Sequence, residues 1–223
     1  MIPKQVFLCN GVIDEKSVTS SMRWKALNPE YSIYLYDNEM CHNFLVRELG
    51  GVYGDIFDFI RDGPIKADFW RLCVLYRRGG VYSDIDNVPI TSLAEVIDAE
   101  AELVVPTSYW LRMGFKFNPN FIMCHRHDSV IEKCVKWYVD KFNNRRNHVY
   151  GYWGWSIMRC FTEVLVFPSY RRVSGVYDAC GKKIQLLLEC EEKKHTDAHT
   201  DYMDVVFFHN RSDDWDHINH RFI

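Results

Sequence analysis

The fold of this chain is decided by residues 66–90, KADFWRLCVLYRRGGVYSDIDNVPI. Around the start of this stretch, apolar residues recur with the 3.6-residue period of a helix that is buried along one face. They are Ile65, Phe69, Leu72, Cys73 and Tyr76. Gly79 and Gly80 then supply the unusual backbone conformation that ends a helix and reverses the chain. Because residues 81–83 have the composition of a strand, the stretch predicts a helix, a tight turn and a strand.

Four charged residues of this unit, Asp68, Arg71, Asp84 and Asp86, are predicted to share one end of it. Asp68 and Arg71 lie three apart on the helix, so their side chains are neighbours. The helix carries the chain about 15 Å away from Asp68, and the strand returns it about 13 Å to Asp84. The reversal therefore brings Asp84 and Asp86 back to the end of the unit where Asp68 and Arg71 lie.

Asp84 and Asp86 form a chelating pair if the backbone between them is extended. Side chains two apart on an extended segment face the same way, while Ile85 between them would turn into the core. Carboxylate oxygens in a site that is open to substrate suit Mg²⁺ or Mn²⁺, which keep positions for a ligand's phosphates. The pair thus predicts a metal site that receives a diphosphate.

The pattern D-x-x-R followed by L-x-x-x-G-G-x-Y-x-D-x-D resembles the signature of the DXD-type glycosyltransferases, the family 32-like group with a DXD sugar-binding region. This group includes yeast initiating mannosyltransferase-like enzymes, α-1,4-galactosyl- and N-acetylglucosaminyltransferases, and the catalytic domains of large clostridial glucosylating toxins. Asp-rich turns are common, so the pattern is specific only through the residues attached to it. The resemblance implies one GT-A catalytic domain over residues 1–223, in which a mixed, mostly parallel α/β sheet is flanked by helices.

Length and composition agree with one enzyme domain. The 223 residues, of which 48% are hydrophobic, can bury one substantial core, and a second full domain is not expected. The 27 Lys and Arg against 30 Asp and Glu do not favour a nucleic-acid partner. No apolar run has the length of a membrane span or of a signal peptide. We therefore expect a soluble cytoplasmic protein from a viral or bacterial setting, in the host-cell cytoplasm if viral.

The remaining pattern alternates strands and helices, which is typical of an α/β sheet with right-handed crossovers. Strands are predicted at residues 5–9, 31–36, 81–83, 102–106, 184–188 and 205–208. Helices are predicted at residues 17–27, 38–49, 55–62, 92–99 and 128–142, and a charged loop at 189–204. On the first helix, Val18, Met22 and Ala26 share one face.

No second metal site is expected. The eight cysteines lack C-x-x-C spacing and are predicted to be reduced, so neither a zinc ribbon nor a disulfide scaffold is indicated. His195 and His199 could bind zinc from one helical face, but the Glu of H-E-x-x-H is absent, and a solvated loop is favoured.

The ends of the first two strands are predicted to face the nucleotide. Ligands of open α/β sheets lie beyond the carboxyl ends of strands, so Leu8, Cys9 and Asn10 could present backbone groups to a base. The alternative is a plain exit from the strand. Asp37 resembles the family's acidic position beside the nucleotide, and its alternative is a helix N-cap. Trp24 is expected to pack in the core rather than to stack on the base.

The resemblance also assigns residues to the transferred sugar and its acceptor. It implies that Asp68 and Arg71 bind sugar hydroxyls and that Asn120 faces the transferred sugar. Residues 125–128, HRHD, replace the usual Pro-Gly-His-Pro turn. Residues 151–156, GYWGWS, could form an aromatic platform for the acceptor, but simple packing is favoured.

The tail at residues 207–215, FFHNRSDDW, resembles the family's terminal H-x-x-x-S-W element. Imidazole suits Mn²⁺, so His209 is predicted to add a protein ligand, with a structural histidine as the alternative. Arg211 and Trp215 would close over the diphosphate, through charge-assisted hydrogen bonds and through the indole.

These observations predict a metal-dependent glycosyltransferase that uses a nucleoside-diphosphate sugar, by resemblance a UDP-sugar. Asp86 and His209 would hold Mn²⁺ or Mg²⁺, and Asp84 would contact the ribose or the sugar, and the metal through water. The resemblance implies retention; an inverting enzyme would need Asp213 or Asp214 as its base. The alternatives are a nucleotide-sugar hydrolase and a catalytically silent binding domain. A carbohydrate acceptor is expected, without nucleic acid or a membrane span.

Overall fold

The computed structural model describes residues 1–110, 114–144, 152–165, 174–190, 199–202 and 205–210, which form eleven strands and eight helices. The strands are β1 (Gln5–Cys9), β2 (Ser32–Tyr36), β3 (Gly80–Ser83), β4 (Asn87–Pro89), β5 (Leu103–Trp110), β6 (Gly114–Phe117), β7 (Phe121–Cys124), β8 (Gly175–Ala179), β9 (Lys182–Cys190), β10 (His199–Tyr202) and β11 (Val205–Asn210). The helices are α1 (Glu15–Leu27), α2 (Asn38–Leu49), α3 (Gly51–Phe59), α4 (Gly63–Arg78), α5 (Leu93–Val96), α6 (Ser129–Asn143), α7 (Tyr152–Trp155) and α8 (Ile157–Val164).

The described strands form one mixed sheet in the order β2-β1-β3-β7-β5-β9-β10-β11-β4, with β6 beside β5 and β8 beside β9. Parallel pairing joins β1 to β2, β1 to β3, and β5 to β9. The other described pairs are antiparallel. The predicted α/β fold, a mixed sheet flanked by helices, is confirmed.

The sheet curls back on itself beyond the end of β3. Five strands separate β3 from β4 in the strand order, but along the chain only residues 84–86 connect them. The four steps from Ser83 to Asn87 span at most about 14 Å. Strand β4 therefore returns to the neighbourhood of β3, and it brings β11 with it, because Phe208 lies opposite Pro89.

Alternation along the strands divides the core into two clusters. Phe7 and Tyr82 join the larger cluster, to which α2, α3, α4, α6 and α8 contribute. Val6 and Val81, their neighbours in sequence, join the smaller cluster with α1, α5 and β11. The helix and strand predicted around residues 65–83 are confirmed as α4 and β3.

Helix α1 packs differently from its apolar pattern. Trp24 is fully buried, as expected, but Val18 and Met22 are 42% and 66% exposed. The buried face instead contains Ser17 and Ser20. The small serines allow α1 to approach the sheet closely around the indole, and this arrangement cannot be read from hydrophobic periodicity.

The second correction concerns the predicted charged loop at residues 189–204. Strand β9 continues to Cys190, and β10 lies inside the predicted loop, paired with both β9 and β11. Because His199 is the first residue of a strand, the alternative of a zinc site on a helical face is wrong. The polar composition of β10 hid it from a search for apolar alternation. Residues 191–198 lie outside the described residues.

Candidate active site at the turn between β3 and β4

Two glycines position the site by letting α4 and β3 pack tightly at their junction. Gly79 and Gly80 have φ angles of 65° and 96°, which side-chain-bearing residues rarely adopt. A Cβ on Gly79 would lie 2.5 Å from the backbone nitrogen of Arg126, and one on Gly80 would lie 2.7 Å from the backbone oxygen of Gln5. Both turn conformation and space therefore require glycine here, as predicted.

Arg71 is the centre of the site. Its guanidinium lies 3.0 Å from Asp68 Oδ1 and 2.8 Å from Asp84 Oδ1. It also donates to the Pro119 carbonyl at 2.5 Å, and its charge lies 4.3 Å from the centre of the Tyr82 ring. The predicted meeting of Asp68, Arg71 and Asp84 is confirmed, and Arg71 is only 4% exposed.

Asp68 is held from two sides. One carboxylate oxygen meets Arg71, and the other accepts the Ile157 N–H at the start of α8 at 3.1 Å. Burial raises the pKa of Asp68 to about 7, while Arg71 and the Ile157 amide oppose that rise. With 6% exposure, Asp68 ties α4 to α8 and is largely withdrawn from solvent.

Asp84 is fixed both through its side chain and through its backbone. The Tyr82 hydroxyl donates to Asp84 Oδ1 at 2.8 Å, the same oxygen that meets Arg71. The Asp84 N–H donates to the Asn120 carbonyl at 2.7 Å. Burial raises the pKa of Asp84, and Arg71 and Tyr82 act against that shift. Both of these side-chain contacts use Oδ1, and within the described ranges Oδ2 makes no hydrogen bond or ion pair.

The backbone after Asp84 is a turn rather than the predicted extended segment. The Asn87 N–H donates to the Asp84 carbonyl at 3.2 Å, which closes a β-turn over Ile85 and Asp86. Asn87 anchors the turn, since its amide also donates to Ser83 Oγ and to the Asn120 carbonyl. Ile85 is half-buried against the smaller cluster. The prediction failed because alternation along a strand does not continue through a tight reversal.

Asp86 has a different environment from Asp84. Within the described part of the chain no cation forms an ion pair with it. Burial raises the pKa of Asp86 to about 7, the charge of Asp84 adds to that shift, and Glu189 contributes further. A carboxylate that is disfavoured as an anion in this way attracts either a proton or a cation.

The segment 118–120 forms the wall of the site. It presents the Pro119 carbonyl to Arg71 and the Asn120 carbonyl to Asp84. Asn120 is 9% exposed, and its Oδ1 has no hydrogen-bond partner among the described residues. A buried acceptor of this kind is costly unless a ligand donates to it. Asn120 thus lies beside the carboxylate turn, and its contact with a sugar stays a prediction.

The predicted nucleotide-facing residues lie at the carboxyl ends of β1 and β2. Leu8 is fully buried, while Cys9 Sγ lies 3.6 Å from the Tyr82 hydroxyl. The Asn10 N–H pairs with the Tyr36 carbonyl, so it prolongs the strand pairing instead of standing free. Asp37 accepts from the Met40 N–H at 2.8 Å, which confirms its alternative as the N-cap of α2. Nucleotide contacts of these residues stay predictions.

The predicted acceptor platform is partly a packing element. Trp155 is 1% exposed and belongs to the larger core cluster, and its carbonyl accepts from the Tyr138 hydroxyl at 2.7 Å. Gly151 lies outside the described residues. The favoured interpretation of this segment as packing is therefore confirmed for Trp155.

His209 is brought to the site by strand pairing. Its backbone lies in β11 opposite Val88, two residues after Asp86. Arg211, Asp213, Asp214 and Trp215 lie outside the described residues. Among the described residues, no group of three or more His, Cys, Asp or Glu side chains could hold a metal ion.

Three residues around the carboxylates were not predicted from the sequence to belong to the site. Tyr82 was noted only as part of the motif, and Asn87 and Glu189 were not noted as site residues. The spacing Y-x-D could have indicated that Tyr82 and Asp84 share a strand face. No local signal predicts Glu189, because strand pairing brings it to the site from more than a hundred residues away in sequence.

The fold and this site define the chain as similar to the GT-A glycosyltransferases. Among solved structures it resembles "PaToxG Glycosyltransferase", with a TM-score of 0.54 and 13% identity, over 73% of this chain and 69% of that one. This likeness supports the fold. Residues 14–103 match the family described as "Glycosyltransferase sugar-binding region containing DXD motif". The resemblance based on the motif is therefore confirmed over residues 14–103.

Two sequence relatives are named initiation-specific alpha-1,6-mannosyltransferases. The protein from Candida albicans is 34% identical over 117 residues, which cover 48% of this chain and 30% of the relative. The protein from Schizosaccharomyces pombe is 28% identical over 104 residues, 44% of this chain and 26% of the relative. The chain thus matches less than a third of the length of either. None of the described helices is both long and apolar enough to cross a bilayer.

Proposed function

We propose that this protein is a metal-dependent glycosyltransferase, acting as one GT-A domain, that transfers a sugar from a nucleoside diphosphate to a carbohydrate hydroxyl. The observation that carries this proposal is a turn on which Asp84 is fixed by Arg71, while Asp86 has no ion pair among the described residues. Beside this turn lies the buried Asn120 Oδ1, for which the described residues supply no hydrogen-bond donor. The family match over residues 14–103 supports the same activity.

The residues at the turn fit a hard divalent cation. Asp84 and Asp86 offer carboxylate oxygens. Burial, and after it the charge of Asp84, raises the pKa of Asp86, and a bound cation would offset this cost of the charged form. His209, in the strand beside β4, is proposed as the further ligand. Bound Mn²⁺ or Mg²⁺ would stabilise the negative charge that develops on the leaving diphosphate.

The other residues of the site would position the donor. Arg71 and Tyr82 hold one oxygen of Asp84 in place. The other oxygen would then be a fixed acceptor for a ribose or sugar hydroxyl. Asp68 and Arg71 form an ion pair with each other. Asp68 also accepts a hydrogen bond from the Ile157 N–H, and Arg71 donates one to the Pro119 carbonyl. We therefore assign them chiefly to orientation of the site, with sugar contacts limited to their small exposed surface.

The stereochemical outcome is proposed to be retention, as the family resemblance implies. In that mechanism the acceptor hydroxyl gives its proton to the departing phosphate oxygen on the same face of the sugar, and no strong side-chain base is needed. This agrees with the site, because Asp68 and Asp84 are both engaged by Arg71. Inversion would require a free carboxylate base, with Asp213 and Asp214 as the candidates.

For the donor we propose a UDP-sugar, with a mannosyl nucleotide as the second candidate. The preference for uridine comes from the family resemblance. The second candidate rests on the two relatives whose names specify mannosyl transfer. One or two hydroxyl contacts decide such specificity, so both donor classes belong in the first assay.

The test is release of nucleoside diphosphate from a panel of UDP- and GDP-sugars, with Mn²⁺, with Mg²⁺ and with EDTA. The proposal expects release from one donor, loss of that release with EDTA, and a higher rate when a glycan acceptor is added. Release that no acceptor accelerates, with free sugar as the product, would instead establish the hydrolase. Metal-dependent nucleotide binding without turnover of any donor would establish the silent binding domain.

A further inference from the structure

A carboxylate far from the motif is built into the same site. Glu189 lies near the end of β9, where it is opposite Ser108 of β5 and Thr200 of β10. Its Oε2 accepts from Asn118 Nδ2 at 2.6 Å. Glu189 is partly buried, and the segment that it contacts also holds Arg71 and the Asp84 backbone. Neither the motif nor the family match at residues 14–103 includes it.

The hydrogen bond from Asn118 connects Glu189 to the wall of the site. The Asn118 backbone is pinned to β5 through the Pro106 carbonyl at 2.9 Å, and its own carbonyl accepts from the Asn120 N–H at 2.8 Å. The next two carbonyls, of Pro119 and Asn120, hold Arg71 and the Asp84 backbone. A shift of the Asn118 side chain would therefore be transmitted to both charged residues.

The location of Glu189 also follows from the curl of the sheet. Strand β9 lies midway among the five strands that separate β3 from β4, and the turn at residues 84–86 closes the gap between these two. The described side chains contain no three-carboxylate group that could itself hold a metal. Glu189 contacts the wall of the site through Asn118.

We propose that Glu189 is a positioning residue of the nucleotide-sugar site, with two separable effects. Its hydrogen bond to Asn118 orients the wall that fixes Arg71 and Asp84. Its negative charge increases the attraction of the turn for the divalent cation, since Coulomb interactions in a partly buried site extend beyond direct contact. This inference rests on the proposed function, because it concerns the metal and the donor of that site.

Three variants separate the two effects. Glu189→Gln keeps an oxygen that accepts from Asn118 and removes the charge. Asn118→Ala removes the hydrogen bond and keeps the charge, and Glu189→Ala removes both. Glu132→Gln is the matched control, because Glu132 is an exposed carboxylate on α6 that pairs with Lys136. Mn²⁺ affinity is measured by electron paramagnetic resonance on the full chain without donor, and kcat and KM are measured by nucleotide release.

The proposal expects Mn²⁺ affinity to fall about fivefold in Glu189→Gln and Glu189→Ala, a change of about 1 kcal/mol. It expects affinity within about twofold of wild type in Asn118→Ala and Glu132→Gln. It also expects kcat to fall about tenfold in Asn118→Ala and Glu189→Ala and to be largely restored in Glu189→Gln, because a carboxamide oxygen replaces the lost acceptor.

Other results would overturn the inference in identifiable ways. If all three variants lose kcat in proportion to their melting temperature while Mn²⁺ affinity is unchanged, Glu189 is only a structural residue. Unchanged affinity in Glu189→Gln would exclude the effect of its charge. If wild-type protein bound no Mn²⁺ at all, the proposed metal-dependent function would fail first, and the inference about Glu189 would fail with it.

Discussion

The two carboxylates of the motif, two residues apart in sequence, have opposite environments. Asp84 shares one oxygen with Arg71 and Tyr82 and is tied by its backbone to Asn120. Asp86 follows it on the turn without an ion pair among the described residues, and its pKa is raised to about 7. The difference teaches that one end of the motif is built for rigidity and the other for binding. We call these the closed side and the open side of the site.

The largest effect is expected on the open side, from Asp86→Ala. Removing this carboxylate should lower metal-dependent turnover by about a thousandfold or more, equivalent to about 4 kcal/mol of transition-state stabilisation. The fold should persist, because none of the described helices or strands is tied to Asp86 by an ion pair. The measurement is kcat/KM for nucleotide release at saturating Mn²⁺, with circular dichroism as the control. A variant that keeps most of its activity would place the metal elsewhere.

The next effect is expected on the closed side, from Arg71→Ala. This change leaves the buried Asp68 and the partly buried Asp84 without their cation, so the free energy of unfolding should fall by about 3–5 kcal/mol. Urea denaturation monitored by tryptophan fluorescence gives the value. Lys136→Ala is the matched control, because it breaks an exposed pair with Glu132 and should cost at most about 0.5 kcal/mol. Equal losses in the two variants would contradict the distinction between buried and exposed pairs.

A milder change on the closed side is Tyr82→Phe. It removes the hydroxyl that donates to Asp84 and keeps the buried ring over which Arg71 lies. The free energy of unfolding should fall by about 1–2 kcal/mol, and kcat should decrease while KM for the donor changes little. If KM rose and kcat were unchanged, Tyr82 would act in binding the donor and not in orienting Asp84.

The smallest effect concerns the pH dependence of metal-free protein. The folded-state pKa of Asp86, about 7, lies above its ordinary value of 3.8, so the folded state binds more protons between these values. Its contribution to stability is present at low pH and is lost as pH rises through about 7. In EDTA at about pH 8, Asp86→Asn should therefore be more stable than wild type by about 1 kcal/mol, since water screens part of the charge.

The control for that prediction is the same pair at about pH 4, where Asp86 is protonated and the two proteins should have similar stability. Asp68, whose pKa is also raised to about 7, contributes in the same direction to both proteins and does not affect the difference. A variant less stable than wild type at about pH 8 would mean that Asp86 is held by a favourable interaction, and would remove the contrast between the two sides.

The closed side could be predicted from sequence because its parts are local. The helical spacing of Asp68 and Arg71 predicts that their side chains are neighbours. Gly79 and Gly80 predict a reversal that brings Asp84 close to them. The open side was predicted less well. The prediction of an extended backbone at residues 84–86 was wrong. The chain turns there because β4, which follows β3 directly in sequence, is separated from it by five strands in the curled sheet.

Long-range pairing explains what else the sequence did not show. Glu189 and the segment 118–120 reach the site through strand order, which hydrophobic periodicity does not encode. Strand β10 was missed because a central strand with polar residues such as Thr200 and Asp201 has no apolar alternation. The unpartnered Asn120 Oδ1 is likewise a property of packing, although the family pattern had singled out that residue.

The most direct test of the central claim is calorimetric binding of UDP and of GDP to wild-type protein and to Asp86→Ala, each with Mn²⁺ and with EDTA. The account predicts that wild type binds one of the two nucleotides, that EDTA abolishes the binding, and that Asp86→Ala does not recover it with Mn²⁺. Binding that is equally strong in EDTA, or that survives in Asp86→Ala, would show that the turn between β3 and β4 does not hold a metal–diphosphate complex.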